Sequence, residues 1–177
     1  RANFPQKHRQ TYQASGRYTI PYTLETNSWI DQISVEAGFD FKGTDTNILF
    51  EDKAAPVEKI LAYTSQFASS VSGKRNRDGH KLTATIDLVG SPAEMLPNQT
   101  EADYNNLRAG ATPQYFYSRL SFSVDQKLPA DWSFYVQGRT QLSASTLIPS
   151  EQFALGGYNT VRGYDEKVAN GDHAVCG

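Results

Sequence analysis

A strict alternation of apolar and polar residues recurs along this chain and constrains its fold more than any other feature. In the segment 17–25, the apolar residues Tyr18, Ile20, Tyr22 and Leu24 alternate with Arg, Thr, Pro and Glu. Successive side chains of an extended strand point to opposite faces, so a period of two places each kind on its own face. Helical periodicity is scarce, whereas the two-residue period returns again and again. The predicted strands are 17–25, 30–42, 57–69, 82–90, 114–128 and 132–144.

The predicted strands and their connections are typical of a membrane barrel. At roughly 8–13 residues the strands exceed the usual globular length of about 5–6 and suit the 9–11 that a membrane span needs. Short turns near 26–29 and 127–131 alternate with long polar stretches at 43–56 and 91–108, as in outer-membrane barrels. The twelve-residue connection 70–81 is predicted to break this rhythm. The sequence therefore predicts an all-β, antiparallel transmembrane β-barrel, with a soluble β-sandwich as the open alternative.

Composition excludes several other classes of protein. Seventeen basic and nineteen acidic residues give a net charge of −2, which excludes a strongly basic nucleic-acid binder. A single cysteine, Cys176, excludes an internal disulfide framework. There is no run of about 18 apolar residues, so no transmembrane helix is predicted.

The polar face of the predicted strands is rich in Ser, Thr and Gln, with scattered charges, and such a face suits a wet lumen. The candidate lumen-facing residues are Glu36, Asp40, Arg119, Arg139 and Gln141.

No pattern in the chain indicates catalysis. The three histidines lie far apart and share no metal-ligand spacing, and there is neither a nucleophile elbow nor a phosphate-binding loop. The adjacent Asp165 and Glu166 are interpreted as a solvated loop edge, because neighbouring extended residues diverge. We therefore predict no enzyme, no metal, no cofactor and no small-molecule substrate.

The segment 150–165 is the most distinctive in the sequence. It reads SEQFALGGYNTVRGYD, with a glycine pair at Gly156 and Gly157 and a lone arginine, Arg162. Glycine permits positive φ and close backbone approach, and a guanidinium inside a lumen would pair with a carboxylate. An isolated Val-Arg-Gly-Tyr by itself is also compatible with a surface loop and a solvated arginine.

In context, this segment resembles the signature of the two-partner-secretion outer-membrane transporters of the hemolysin-activator and filamentous-hemagglutinin transporter type. The resemblance rests on Glu-Gln-Phe, Leu-Gly-Gly, Val-Arg-Gly-Tyr and the later Gly171-Asp172. It implies that the loop 145–170 folds back into the barrel with Arg162 as a lock. The acidic partner of Arg162 would lie on a strand past residue 177. The motif residues implied by the resemblance are Val161, Arg162, Gly163 and Tyr164, with Gly156 and Gly157 leading to the tip.

The resemblance also implies a function and a location. Residues 1–177 would form one incomplete C-terminal barrel domain, with about six to seven consecutive strands of a sixteen-stranded barrel. Both ends look cut, which is expected of an internal segment. The protein would be a pore in the bacterial outer membrane, in contact with lipid. It would export a secreted exoprotein, an adhesin or hemolysin with an N-terminal secretion domain. Two alternatives remain: a barrel-assembly insertase of the same superfamily, and a soluble, secreted β-sandwich binding module.

Overall fold

The computed structural model describes residues 6–24, 28–50, 53–54, 60–77, 79–92, 94–157 and 169–177. These residues form ten β-strands and one helix, α1, at Glu101–Leu107. The strands are β1 Gln6–Thr23, β2 Gln32–Phe50, β3 Lys53–Ala54, β4 Ile60–Arg77, β5 His80–Pro92, β6 Gln114–Lys127, β7 Ser133–Ser143, β8 Phe153–Leu155, β9 Ala169–Gly171 and β10 Ala174–Cys176.

The main sheet is an antiparallel meander. Its strand order is β1-β2-β4-β5-β6-β7-β10, with the short β3 paired to β2, while β8 and β9 form a separate two-stranded ribbon. Long strands therefore pair with their neighbours along the chain, which is the topology of up-and-down barrels. The predicted all-β, antiparallel fold is confirmed.

Four predicted strands were too short, and β5, which covers His80–Pro92 instead of 82–90, is longer by two residues at each end. β1 begins at Gln6 instead of residue 17, β2 reaches Phe50 instead of residue 42, and β4 covers Ile60–Arg77 instead of 57–69. The apolar alternation fades in these extensions, but the backbone ladder continues through them, pairing residues 6–16 with 39–49 and 70–74 with 32–36. Backbone hydrogen bonds do not depend on hydropathy, so a hydropathy pattern ends before the strand does.

The prediction of a twelve-residue connection at 70–81 was wrong for the same reason. β4 and β5 pair as far as Arg77 and His80, which leaves a two-residue turn that contains Gly79 at φ +76°. Glycine adopts this left-handed conformation without the steric cost that other residues have.

The predicted loop 145–170 also contains structure, namely β8 and the start of β9. The short connections after β1, β4 and β6 therefore share one edge of the sheet.

The apolar face of the sheet is open to its surroundings. Large apolar side chains on this face are about 40–80% exposed, including Tyr18 at 72% and Val175 at 81%. A soluble β-sandwich would bury this face, whereas a membrane barrel turns it toward lipid. Other exposed members are Ile20, Tyr22, Phe67, Val71, Ile86, Leu88, Phe116, Leu120, Phe122, Phe134 and Leu142.

The packed core lies on the opposite, polar side of the sheet. The loop that carries α1 and the segment after β7 come together there. The buried apolar side chains are Ala62, Val89, Tyr104, Ala111, Tyr115, Tyr117, Leu147 and Ile148. α1 begins with a capping box, in which Thr100 accepts from the backbone of Asp103 and Asp103 accepts from that of Thr100. Within the described residues, no helix has the length and hydropathy that crossing a membrane requires.

Candidate functional site

One row of side chains crosses the polar face from β2 to β7. The register pairs Glu36 with Ser70, and Ser70 with Asp87. It then pairs Asp87 with Arg119, and Arg119 with Gln141. Directly opposed residues of an antiparallel ladder point to the same face. Three of the predicted lumen-facing residues therefore belong to a single row.

The remaining two predicted residues lie on the same face. Asp40 is four positions from Glu36 along β2, and Arg139 is two positions from Gln141 along β7. An even spacing along a strand keeps side chains on one side of the sheet. The structure thus brings all five candidates to one face, and their role in lining a pore stays a prediction.

The first polar network joins four strands across this face. Arg17 Nη2 lies 2.6 Å from Asp40 Oδ1, and Gln66 Nε2 donates to Asp40 Oδ2 at 2.9 Å. Tyr115 Oη in turn donates to Gln66 Oε1 at 2.7 Å. Asp40, Gln66 and Tyr115 are each less than 5% exposed. A buried carboxylate needs such partners, and Arg17 from β1 and Gln66 from β4 supply them, while Tyr115 from β6 binds Gln66.

A second network centres on Glu151, in the segment after β7. Residues 145–157, which we call the stem, return over the polar face, and Glu151 is only 1% exposed there. Lys42 Nζ lies 2.8 Å and 3.0 Å from its two carboxylate oxygens, and Tyr117 Oη donates to Oε2 at 2.9 Å. Charge-assisted hydrogen bonds of this kind are the strong ones. The Glu151 side chain therefore connects β2 with β6.

The backbone of Glu151 is held as well. Its carbonyl oxygen accepts from Arg119 Nη2 at 3.3 Å and from Gln141 Nε2 at 3.2 Å. Arg119 Nε also donates to Gln141 Oε1 at 2.6 Å, and its guanidinium lies 4.8 Å from the ring centroid of Tyr117. Two of the predicted lumen-facing residues thus bind the stem.

A third network forms around Asp172, which follows β9. Its Oδ1 accepts from Arg108 Nη1 at 2.6 Å, from the Leu147 backbone N–H at 3.2 Å and from Gln152 Nε2 at 3.2 Å. Arg108 Nη1 also donates to the Leu147 carbonyl at 2.7 Å. Asp172 therefore ties the stem to the loop that carries α1.

The environment of Asp172 favours its ionised form. Burial by itself would raise the pKa of this carboxyl group. The hydrogen bonds from Arg108, Leu147 and Gln152, together with the charge of Arg108, outweigh burial and lower the pKa below the ordinary 3.8. Asp172 therefore remains a carboxylate throughout the neutral and mildly acidic range.

Tyr104 attaches α1 to the polar face. It is fully buried, its hydroxyl lies 2.8 Å from Thr64 Oγ1, and it donates to the Tyr63 carbonyl at 3.0 Å. Burial is the main cause that raises the pKa of Tyr104 to about 12. The side chain is thus a neutral hydrogen-bonding anchor for the helix.

Sequence reasoning missed α1, including its buried residue Tyr104 and the C-cap residue Arg108. The capping-box spacing of Thr100 and Asp103 was a signal that could have indicated the helix. Glu151 and Asp172 were noted only as parts of the family signature. Glu151 lies 109 residues from Lys42 in the sequence, and no local pattern reports such a distant contact.

The motif loop is described only in part. Gly156 and Gly157 adopt φ of 105° and 89°, which are conformations that glycine reaches easily. The motif residues Val161, Arg162, Gly163 and Tyr164 lie outside the described residues, as do Asp165 and Glu166. Among the side chains that the structure describes, no group of three or more His, Cys, Asp or Glu residues is arranged to hold a metal ion.

Comparison with known proteins identifies the family. A family model described as haemolysin secretion/activation protein ShlB/FhaC/HecB matches residues 58–176, which is more than half of the chain. Neither the search of curated proteins nor the search of solved structures gave a match. The matched range covers β4 to β10, the stem and the three carboxylate networks except Arg17, Asp40 and Lys42. This chain belongs to the ShlB/FhaC/HecB family of haemolysin secretion/activation proteins, and its sheet is part of the β-barrel of that family.

Proposed function

We propose that the polar face of this sheet is part of the wall of a pore through which one large secreted protein crosses the outer membrane. The family consists of two-partner-secretion transporters of the outer membrane, which work with a secreted exoprotein. The proposal adds the route and the cargo. The cargo is an adhesin or hemolysin with an N-terminal secretion domain, and it passes along the face that carries Glu36, Asp40, Arg119, Arg139 and Gln141.

The observation that carries this proposal is the opposite character of the two faces. On β5 and β6 the neighbouring residues Ile86 and Leu120 are 50% and 41% exposed on the apolar side. Asp87, which follows Ile86, and Arg119, which precedes Leu120, oppose each other on the polar side. Lipid suits the first face and water suits the second.

The chemistry of the polar face suits an unfolded chain in transit. An extended polypeptide exposes backbone N–H and C=O groups, and these need water or polar partners. Hydroxyl, amide and charged groups of both signs line this face, so it offers weak contacts to any sequence. A strongly basic or acidic face would retain oppositely charged cargo.

Cysteine cross-linking to cargo in transit tests the route. We expect Ser121→Cys, on the polar face opposite Arg139, to form a disulfide with an exoprotein that is stalled during secretion and carries a single cysteine. Leu120→Cys, on the apolar face, is the matched control and should form none. Both variants would be made in the full transporter with Cys176 replaced by Ser. Equal cross-linking at the two positions, or none at Ser121→Cys, would refute the proposed route.

The assigned role of Arg162 gives a second prediction. If Arg162 locks the motif loop in the barrel, Arg162→Ala should lower secretion about tenfold or more and alter channel conductance, because breaking a buried ion pair leaves a charge without its partner. Arg9→Ala in the same transporter is the control. Secretion and conductance that both match the wild type would show that the assigned role is wrong.

A further inference from the structure

We propose that Glu151 is a positioning residue that holds the stem of the motif loop against the polar face, with Lys42 as its partner on β2. The inference rests on the proposed pore, because the stem lies on the face assigned to the cargo. It assigns a role to the base of the motif loop that is separate from the role of Arg162.

The Glu151 carboxylate contacts side chains from two strands that are not neighbours in the sheet. β2 and β6 are separated in the sheet by β4 and β5, which corresponds to about 14 Å at the usual strand spacing. Lys42 from β2 and Tyr117 from β6 both reach the same carboxylate within 3.0 Å. The carboxylate therefore lies above the middle of the sheet and joins strands that do not touch each other.

The ion pair is also largely withdrawn from water. The side chain of Glu151 is 1% exposed and that of Lys42 is 16% exposed. Surface pairs of this kind contribute little, but removing one partner of a buried pair leaves an uncompensated charge. Lys42 and Glu151 thus depend on each other, and the loss of either is expected to displace this part of the stem.

Neighbouring residues of the stem are buried by the same arrangement. Leu147 and Ile148 are 0% and 1% exposed, and the Glu151 N–H donates to the Ile148 carbonyl at 2.9 Å. Displacing Glu151 from Lys42 would therefore expose Ile148 to the lumen. The accessibility of residue 148 reports the position of the stem without any reference to transport.

The test uses a single cysteine at this position. In the full transporter with Cys176 replaced by Ser, Ile148→Cys is labelled in intact cells with a membrane-impermeant maleimide. We expect Glu151→Gln and Lys42→Met each to raise the labelling rate about tenfold or more, because each leaves a buried charge unpaired. The exchange Lys42→Glu with Glu151→Lys restores the pair and should return the rate toward its starting value.

Matched controls separate positioning from misfolding. Glu94→Gln neutralises an exposed carboxylate on the loop that carries α1, so it should leave the labelling rate unchanged. Labelling is scored only on barrels that retain heat-modifiable migration. An unchanged rate in Glu151→Gln, or a raised rate that the exchange fails to lower, would overturn the proposal.

The labelling test and the cross-linking test can fail separately. If labelling rises as expected while Ser121→Cys never cross-links to cargo, the positioning role stands and the proposed route falls. If cargo cross-links but labelling does not change, the route stands and Glu151 does not position the stem.

Discussion

Replacing Ile86 with arginine is expected to destabilise the barrel by about 2–4 kcal/mol, which is the cost of placing this side chain on a lipid face near the bilayer midplane. Ile86 is the central residue of β5 and is 50% exposed on the apolar face. The loss should appear in urea unfolding of the transporter in lipid vesicles and as a reduced amount of folded protein in the outer membrane.

The neighbouring residue provides the matched control for this prediction. Thr85 lies on the polar face, opposite Ser72 on β4 and Ser121 on β6. Thr85→Arg introduces the same side chain at nearly the same depth, but on the polar face. The free energy of unfolding of this variant should therefore stay near that of the wild type. A barrel that tolerates Ile86→Arg as well as it tolerates Thr85→Arg would contradict the assignment of the apolar face to lipid.

Replacing Asp172 with alanine is expected to release the stem, at a cost on the order of 3 kcal/mol. The change removes the acceptor of three hydrogen bonds and leaves the Arg108 guanidinium without its carboxylate. The measurement is the urea midpoint of the transporter in lipid vesicles, with Glu101→Gln as control because Glu101 is exposed. A midpoint equal to that of the control would show that the Asp172 network adds no stability.

The same carboxylate predicts a dependence on pH, and the sign follows from its lowered pKa. The folded protein releases this proton more readily than the unfolded chain does, so the stabilisation is present above the ordinary pKa of 3.8. It is lost as the pH falls below 3.8 and through the lower folded value. The stability difference between wild type and Asp172→Ala should therefore be constant near neutrality and shrink in strong acid. A difference that grows on acidification would contradict the lowered pKa.

The long-range contacts explain how the stem is attached to the sheet. Glu151 binds β2 and β6 through its side chain, and β6 and β7 through its carbonyl oxygen. Asp172 adds the loop of α1. The stem is thereby attached at several points, so a change at one of them is expected to shift the stem without unfolding the sheet.

Local signals in the sequence indicated some turns and helices that the predicted elements did not include. The Asp78-Gly79 dipeptide is a strong hairpin signal, yet the polar run around it led to the prediction of a long connection. Fading hydropathy at residues 6–16 likewise hid the first half of β1, because pairing with β2 is a property of the backbone. The segment 91–108 was predicted to be a long connection, although it contains the capping box of α1.

The sequence by itself determined the strand period, the two faces of the sheet, the positions of five polar-face residues and the family. All of these depend on residues that are close together in the chain, since alternation and short motifs are local properties. Only the tertiary structure showed which carboxylates form the contacts that hold the stem in place. The partners Lys42 and Glu151 are 109 residues apart in the sequence, and Asp172 and Arg108 are 64 residues apart. Contacts of that range leave no local pattern, because they arise when separate strands and loops pack together.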